Sequence, residues 1–202
     1  MILEACVGSY EEAKIKEKFG ANRIELCDNL KEGGTTPSYG VIKKSVEDIK
    51  IPINVIIRPR GGNFIYSKEE KEIMLLDIEL CNKLNVNGIV VGALNEESKI
   101  DIEFIKRVKK VNKTKEITFH MAFDEIEDKK KAIDILVELN INRILTKGGV
   151  LSAPNNLQSI KELINYAGNR IIIMPGGGIT KDNKDYIIRE TGALELHGTK
   201  IV

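Results

Sequence analysis

The sequence predicts an α/β fold, a compact (β/α)8 barrel that lacks its eighth outer helix. Three observations carry this. Short apolar runs of strand character recur eight times, and amphipathic segments separate them with little linker. No Gly-x-Gly-x-x-Gly follows the first run, where a dinucleotide-binding open sheet would place it. Such an alternation demands a parallel sheet with right-handed crossovers, either open and doubly wound or closed, and the count of eight favours closure. A weak internal echo points the same way. Asn22-Arg23-Ile24 before the second strand resembles Asn142-Arg143-Ile144 before the sixth, the four-unit spacing of half-barrel symmetry.

In chain order the strands are expected at 2–7, 23–26, 54–57, 88–91, 116–119, 143–145, 171–174 and 193–196. Ser9-Tyr10-Glu11-Glu12 and Ser67-Lys68-Glu69-Glu70 read as capping boxes that open helices. The second of these helices carries Ile73, Ile78, Cys81 and Leu84 at helical spacing. Ile102/Ile105/Val108, Ala132/Ile133/Leu136 and Leu157/Ile160/Ile164/Ala167 mark three more. Gly20 and Gly192 follow helix ends, where a left-handed residue is usual. Only six residues follow Leu196, too few for an eighth helix. The outer surface of the last strand then needs cover from the tail or from a second subunit, so a homo-oligomer, most simply a dimer, is expected.

Composition sets the bounds. A chain of 202 residues with 42% hydrophobic content suits one barrel domain over 1–202. With 31 basic against 30 acidic residues, no global field argues for nucleic acid or a membrane surface. No run approaches the ~20 apolar residues of a membrane span, and the start lacks the pattern of a secretory leader. Three cysteines make no disulfide framework, so a reduced cytoplasmic protein is expected.

Closure places strands 8, 1 and 2 side by side, and with them Glu195-Leu196-His197, Glu4-Ala5-Cys6 and Glu25-Leu26-Cys27. Residues two apart on a strand share a face, so two thiols, one imidazole and three carboxyls converge. The C-terminal ends of barrel strands form the functional face. That face also collects Arg58 and Arg60, His120 and Asp124, Lys147, and Gly176-Gly177-Gly178.

Several motifs in order, Arg23-Ile24-Glu25-Leu26-Cys27, Gly33-Gly34-Thr35-Thr36-Pro37-Ser38, Arg58-Pro59-Arg60-Gly61-Gly62-Asn63, Thr118-Phe119-His120-Met121-Ala122-Phe123-Asp124 and Leu145-Thr146-Lys147-Gly148-Gly149, are similar to those of the CutC family, assigned to copper homeostasis. The resemblance covers essentially the whole chain and implies a TIM barrel. Met121 stands where the family usually has Arg, and Lys147 where it usually has Ser.

Cys6 and Cys27 are the natural soft-metal pair, because thiolates prefer Cu(I) to hard ions; the plainer reading is a pair of small buried hydrophobes. Cys81 belongs to a helix core face. His120 suits a third ligand or a general base, with Asp124 holding its tautomer. Met121 alone among the methionines lies where a soft ligand is wanted. Glu4, Glu25 and Glu195 point inward and are expected to pair with Arg58, Arg60 and Lys147. A second reading makes the same mouth an aldolase- or isomerase-like lyase for a small phosphorylated or carboxylated metabolite. Gly176, Gly177 and Gly178 would then bind an anion through backbone N–H groups, Arg58 and Arg60 would grip it, and Lys147 would form a Schiff base beside His120 and Asp124.

Overall fold

Eight parallel strands wind into a barrel with seven helices outside it, in a computed structural model of residues 1–202. The strands are β1 (Ile2–Val7), β2 (Arg23–Leu26), β3 (Ile53–Ile56), β4 (Gly88–Val91), β5 (Glu116–Phe119), β6 (Arg143–Thr146), β7 (Ile172–Pro175) and β8 (Glu195–Gly198). The helices are α1 (Tyr10–Lys18), α2 (Tyr39–Asp48), α3 (Lys68–Lys83), α4 (Ile102–Val111), α5 (Lys129–Glu138), α6 (Leu157–Ala167) and α7 (Lys184–Thr191). Ladders join the strands in the order β7-β6-β5-β4-β3-β2-β1-β8, so β8 pairs in parallel with β1. The β7–β8 seam has no ladder. It is drawn together just beyond the strand ends, where Thr180 bridges Lys200 and the Lys181 N–H donates to the Lys200 carbonyl at 2.8 Å.

Most strands stand within one residue of expectation, but β8 lies two residues later. Its partner β1 begins at Ile2, opposite Glu195, so Ala193 and Leu194 fall below the sheet edge and Leu194 is exposed. The Ser67 capping box is complete. At Ser9 only half forms, because Glu12 reaches past Ser9 to accept from the Gly8 N–H. On α3 the buried stripe is Met74, Ile78 and Cys81, whereas Ile73 is half exposed. Helix α2 was not foreseen, since it buries only Ile42 and Ser45 and its apolar stripe is thin; the Ser38 hydroxyl accepts from Val41 N–H to start it.

The apolar side chains that point outward from the strands, among them Ile24, Leu26, Val55, Ile89, Phe119, Ile144 and Leu196, join the helices in one core of 45 buried residues. The barrel's interior is a different medium. It holds a small apolar cluster of Cys27, Ile56 and Val90, with Cys6 and Leu30 against it, and the buried Leu145 and Met174; polar and charged groups fill much of the remainder. Gly88 is required here, because a Cβ would come within 2.6 Å of the Asn54 side chain and 2.8 Å of the Glu116 carbonyl.

The residues after β8 turn back onto the core. Ile201 is fully buried, Val202 packs on the core, and Lys16 Nζ donates to the Val202 carbonyl at 3.0 Å.

Candidate functional site

The polar interior is built from alternating strand residues. Burying a charge is costly unless it is paired, and here every inward acid finds a partner. Glu4 on β1 accepts from Arg23 Nε, from Asn54 Nδ2 and, through Oε1, from His197 Nδ1 at 2.9 Å. Glu195 on β8 accepts from Arg23 Nη2 and Arg143 Nε, both at 2.5 Å. Arg143 also reaches Glu116 and Thr118. The partners of Glu4 and Glu195 are therefore Arg23 and Arg143, not the expected Arg58, Arg60 and Lys147. Sequence reasoning missed both arginines, although the Asn-Arg-Ile echo contains each of them.

Above this network sit the thiols. Cys6 Sγ and Cys27 Sγ are 3.9 Å apart, and with a Glu25 oxygen they form a group whose ligand atoms lie within 4.8 Å of one another. His197 Nε2 is 3.4 Å from Glu25 Oε2. The hydrogen bond with Cys27 holds the Cys6 thiol well below its ordinary value, against the opposing effect of burial and with help from His197. The same bond pushes Cys27 well above, and burial and Glu25 add to it. Of the two sulfurs, Cys6 is therefore the more acidic. Burial disfavours a charged His197, but Glu25, Cys6 and Glu4 outweigh it and raise the imidazole well above its usual value. Burial and the neighbouring Cys6 push Glu25 up.

A cavity of about 460 Å3 opens over the thiols; Cys6, Glu25, Cys27, His120 and His197 line it together with Gly177, Gly178 and Lys200. Arg58 and Met121 also line it. Such a convergence at the C-terminal end of a barrel is where ligands bind.

A family model, the CutC family, matches residues 1–202. The chain belongs to the CutC family. A human relative, "Copper homeostasis protein cutC homolog", is 45% identical over 196 residues, covering 97% of this chain and 72% of that protein. A CutC family protein of Enterococcus faecalis is 45% identical over 209 residues and covers both chains completely. The crystal structure of the CutC protein from Streptococcus agalactiae superposes with a TM-score of 0.96 at 42% identity over the full length of both. The barrel is that of a copper homeostasis family.

The remaining candidates are dispersed around this CutC mouth. Arg58 is buried, and its two terminal nitrogens are spent on the carbonyls of Glu32, Gly34 and Gly62. Arg60 lies off the cavity, paired with Glu70 at 2.6 Å and stacked on Tyr66. Asp124 does not reach His120. Its oxygens accept from Thr146 Oγ1 at 2.5 Å and Lys147 N at 2.8 Å, tying the turn after β5 to the end of β6. His120 orients instead by accepting from the Ala122 N–H through Nδ1 at 3.2 Å. Gly176 spends its N–H on the Thr146 carbonyl, leaving Gly177 and Gly178 as the free part of the triple glycine. Met121 and Lys147, the two departures from the family pattern, meet at Gly177. A Cβ there would come within 2.8 Å of Lys147 Cγ and 3.5 Å of Met121 Cε.

Proposed function

We propose that this CutC chain binds a single Cu(I) ion through Cys6 and Cys27 in the reducing environment of the cytoplasm. The observation that carries this is the thiol pair itself, 3.9 Å apart, with the Cys6 thiol held well below its ordinary value. With metal–sulfur bonds near the ~2.3 Å known for zinc thiolates, that separation subtends about 115° at the ion, the opening of a three-coordinate site. Glu25 stands within reach as the third donor.

Charge supports a monovalent cation. Five acidic groups, Glu4, Glu25, Glu116, Glu195 and Cys6, face Arg23, Arg143 and His197. The surplus at the cysteine end is acidic, which favours a cation there, and the softness of Cu(I) suits two sulfurs. The lyase reading draws less support, because Lys147, Asp124 and Arg60 lie off the cavity.

The test is an anaerobic titration with Cu(I) against a competing chelator. Wild type should take up one equivalent, Cys6→Ser and Cys27→Ser should each lose tight binding, and Cys81→Ser should keep it. Equal loss from Cys81→Ser, or none from the other two, sinks the reading.

A further inference from the structure

A cavity of about 460 Å3 has room for far more than an ion. At roughly 30 Å3 per water molecule it would hold about fifteen waters, and its size falls in the range of small-molecule sites. Two features of its wall, away from the thiols, have no partner within the chain. The first is His120, 4% exposed. Its Nδ1 accepts from the Ala122 N–H, so the ring proton sits on Nε2, and Nε2 is buried with no acceptor. The ring is locked in place. Phe64 packs on it with centroids 4.8 Å apart, and Gly92 leaves the space it fills, since a Cβ there would come within 2.6 Å of the ring. A buried donor so fixed and so unsatisfied is costly unless something supplies an acceptor. Burial and Arg58 also hold this imidazole down at about 3, so it stays a neutral donor.

The second feature is the turn after β7. Gly177 and Gly178 follow one another at φ +83° and +88°, and neither N–H has an acceptor within the chain. Both line the cavity, and so does the exposed Lys200. Successive backbone donors beside a cation suit a dianion, whereas a neutral imidazole N–H suits a carbonyl or carboxylate oxygen. We propose that the cavity binds a small phosphate monoester carrying a second oxygen acceptor, with its phosphate on Gly177, Gly178 and Lys200 and its carbonyl or carboxylate on His120 Nε2. This site does not depend on the copper reading, and none of its groups is a sulfur.

Isothermal titration of the metal-free protein with 2-phosphoglycolate, inorganic phosphate and glycolate tests it. The two-ended probe should bind more tightly than either fragment. His120→Leu and Lys200→Glu should each weaken it about tenfold, the scale of one lost hydrogen bond to a charged or buried partner. Lys200→Glu changes an exposed residue and should fold even if His120→Leu does not, and it should leave Cu(I) uptake intact. Absence of saturable binding to wild type overturns the proposal, as do equal affinities for phosphate and 2-phosphoglycolate or wild-type affinity in Lys200→Glu. None of those results bears on Cu(I) uptake, so the two readings fail separately.

Discussion

Arg23 and Arg143 each place a guanidinium nitrogen 2.5 Å from the same oxygen of Glu195. They come from β2 and β6, four strands apart, and the residue before each makes the same pair of bonds. Asn22 donates its N–H to the Leu3 carbonyl and accepts from the Leu3 N–H, and Asn142 does the same with Ile117. The two half-barrels therefore close on one carboxylate in the interior, where many barrels place branched apolar side chains.

Removing one of these guanidiniums leaves a buried carboxylate under-paired, which typically costs ~3–5 kcal/mol. Arg143→Met should lower stability by that order in urea unfolding. Lys106→Ala, which breaks an exposed pair with Glu103, should cost about 0.5 kcal/mol or less. Because both arginines share Glu195, the double variant R23M/R143M should show a coupling energy of ~0.5–3 kcal/mol. Additive losses would mean that the shared oxygen does not link them.

The barrel was legible in the sequence because its outward face is apolar and regular; eight runs and their spacing suffice to predict closure and the β8–β1 neighbourhood. The thiol pair was legible too, since Glu-x-Cys on two adjacent strands fixes where the sulfurs stand. The interior ion pairs were not. A strand tells which side a charge faces, but Arg23 reaches across to β8, and only the closed barrel brings it there. Arg58, Arg60 and Asp124 looked like ligand-gripping groups by position along the chain. Each turns back to neighbouring carbonyls, a carboxylate or a hydroxyl that local sequence does not reveal.

Acid stability isolates His120. In the folded protein its proton affinity is depressed to about 3, from an ordinary 6.5. Below pH 6.5 the unfolded chain therefore takes up a proton that the folded chain refuses, and stability falls as pH drops towards 3. Glu25, raised by burial, acts with the opposite sign above pH 4.5, because its folded form keeps a proton that the unfolded form releases. The comparison with His120→Phe removes that background. Relative to the variant, wild type should lose about 1.4 kcal/mol per pH unit between pH 6.5 and 4, read from denaturation at several pH values. Parallel pH profiles would show that His120 is not held neutral.

Thiol reactivity should single out Cys6. It is half-buried and its thiol is held well below its ordinary value, whereas Cys27 and Cys81 are buried and pushed up, Cys81 to about 12 by its apolar surroundings. Thiolate is the reacting form. Iodoacetamide at neutral pH should therefore alkylate one cysteine of the native protein, identified as Cys6 by peptide mass. Glu4 supports the His197 charge that favours this thiolate, so Glu4→Gln should slow the reaction. Faster labelling at Cys81 would contradict the assignment.

Copper uptake should release one proton. Metal ligation by sulfur requires the thiolate, and any proton on the ligand must leave as the metal arrives. The Cys6 thiol is held well below its ordinary value and Cys27 well above it, so Cys27 is the sulfur expected to give up the proton. Cu(I) affinity should then rise about tenfold per pH unit across the neutral range. The slope should flatten only when the pH reaches the raised value of Cys27. Titration calorimetry of Cu(I) transfer from one weak chelator, repeated in buffers of different ionisation heat, counts the protons directly. A count of two would mean that Cys6 or Glu25 also gives up a proton, and a count of zero that Cys27 holds none beforehand. Cys27→Ser should lower the affinity and abolish the pH slope together, because the same proton accounts for both. A variant that kept the slope would place the linked proton elsewhere, on Glu25 or His197.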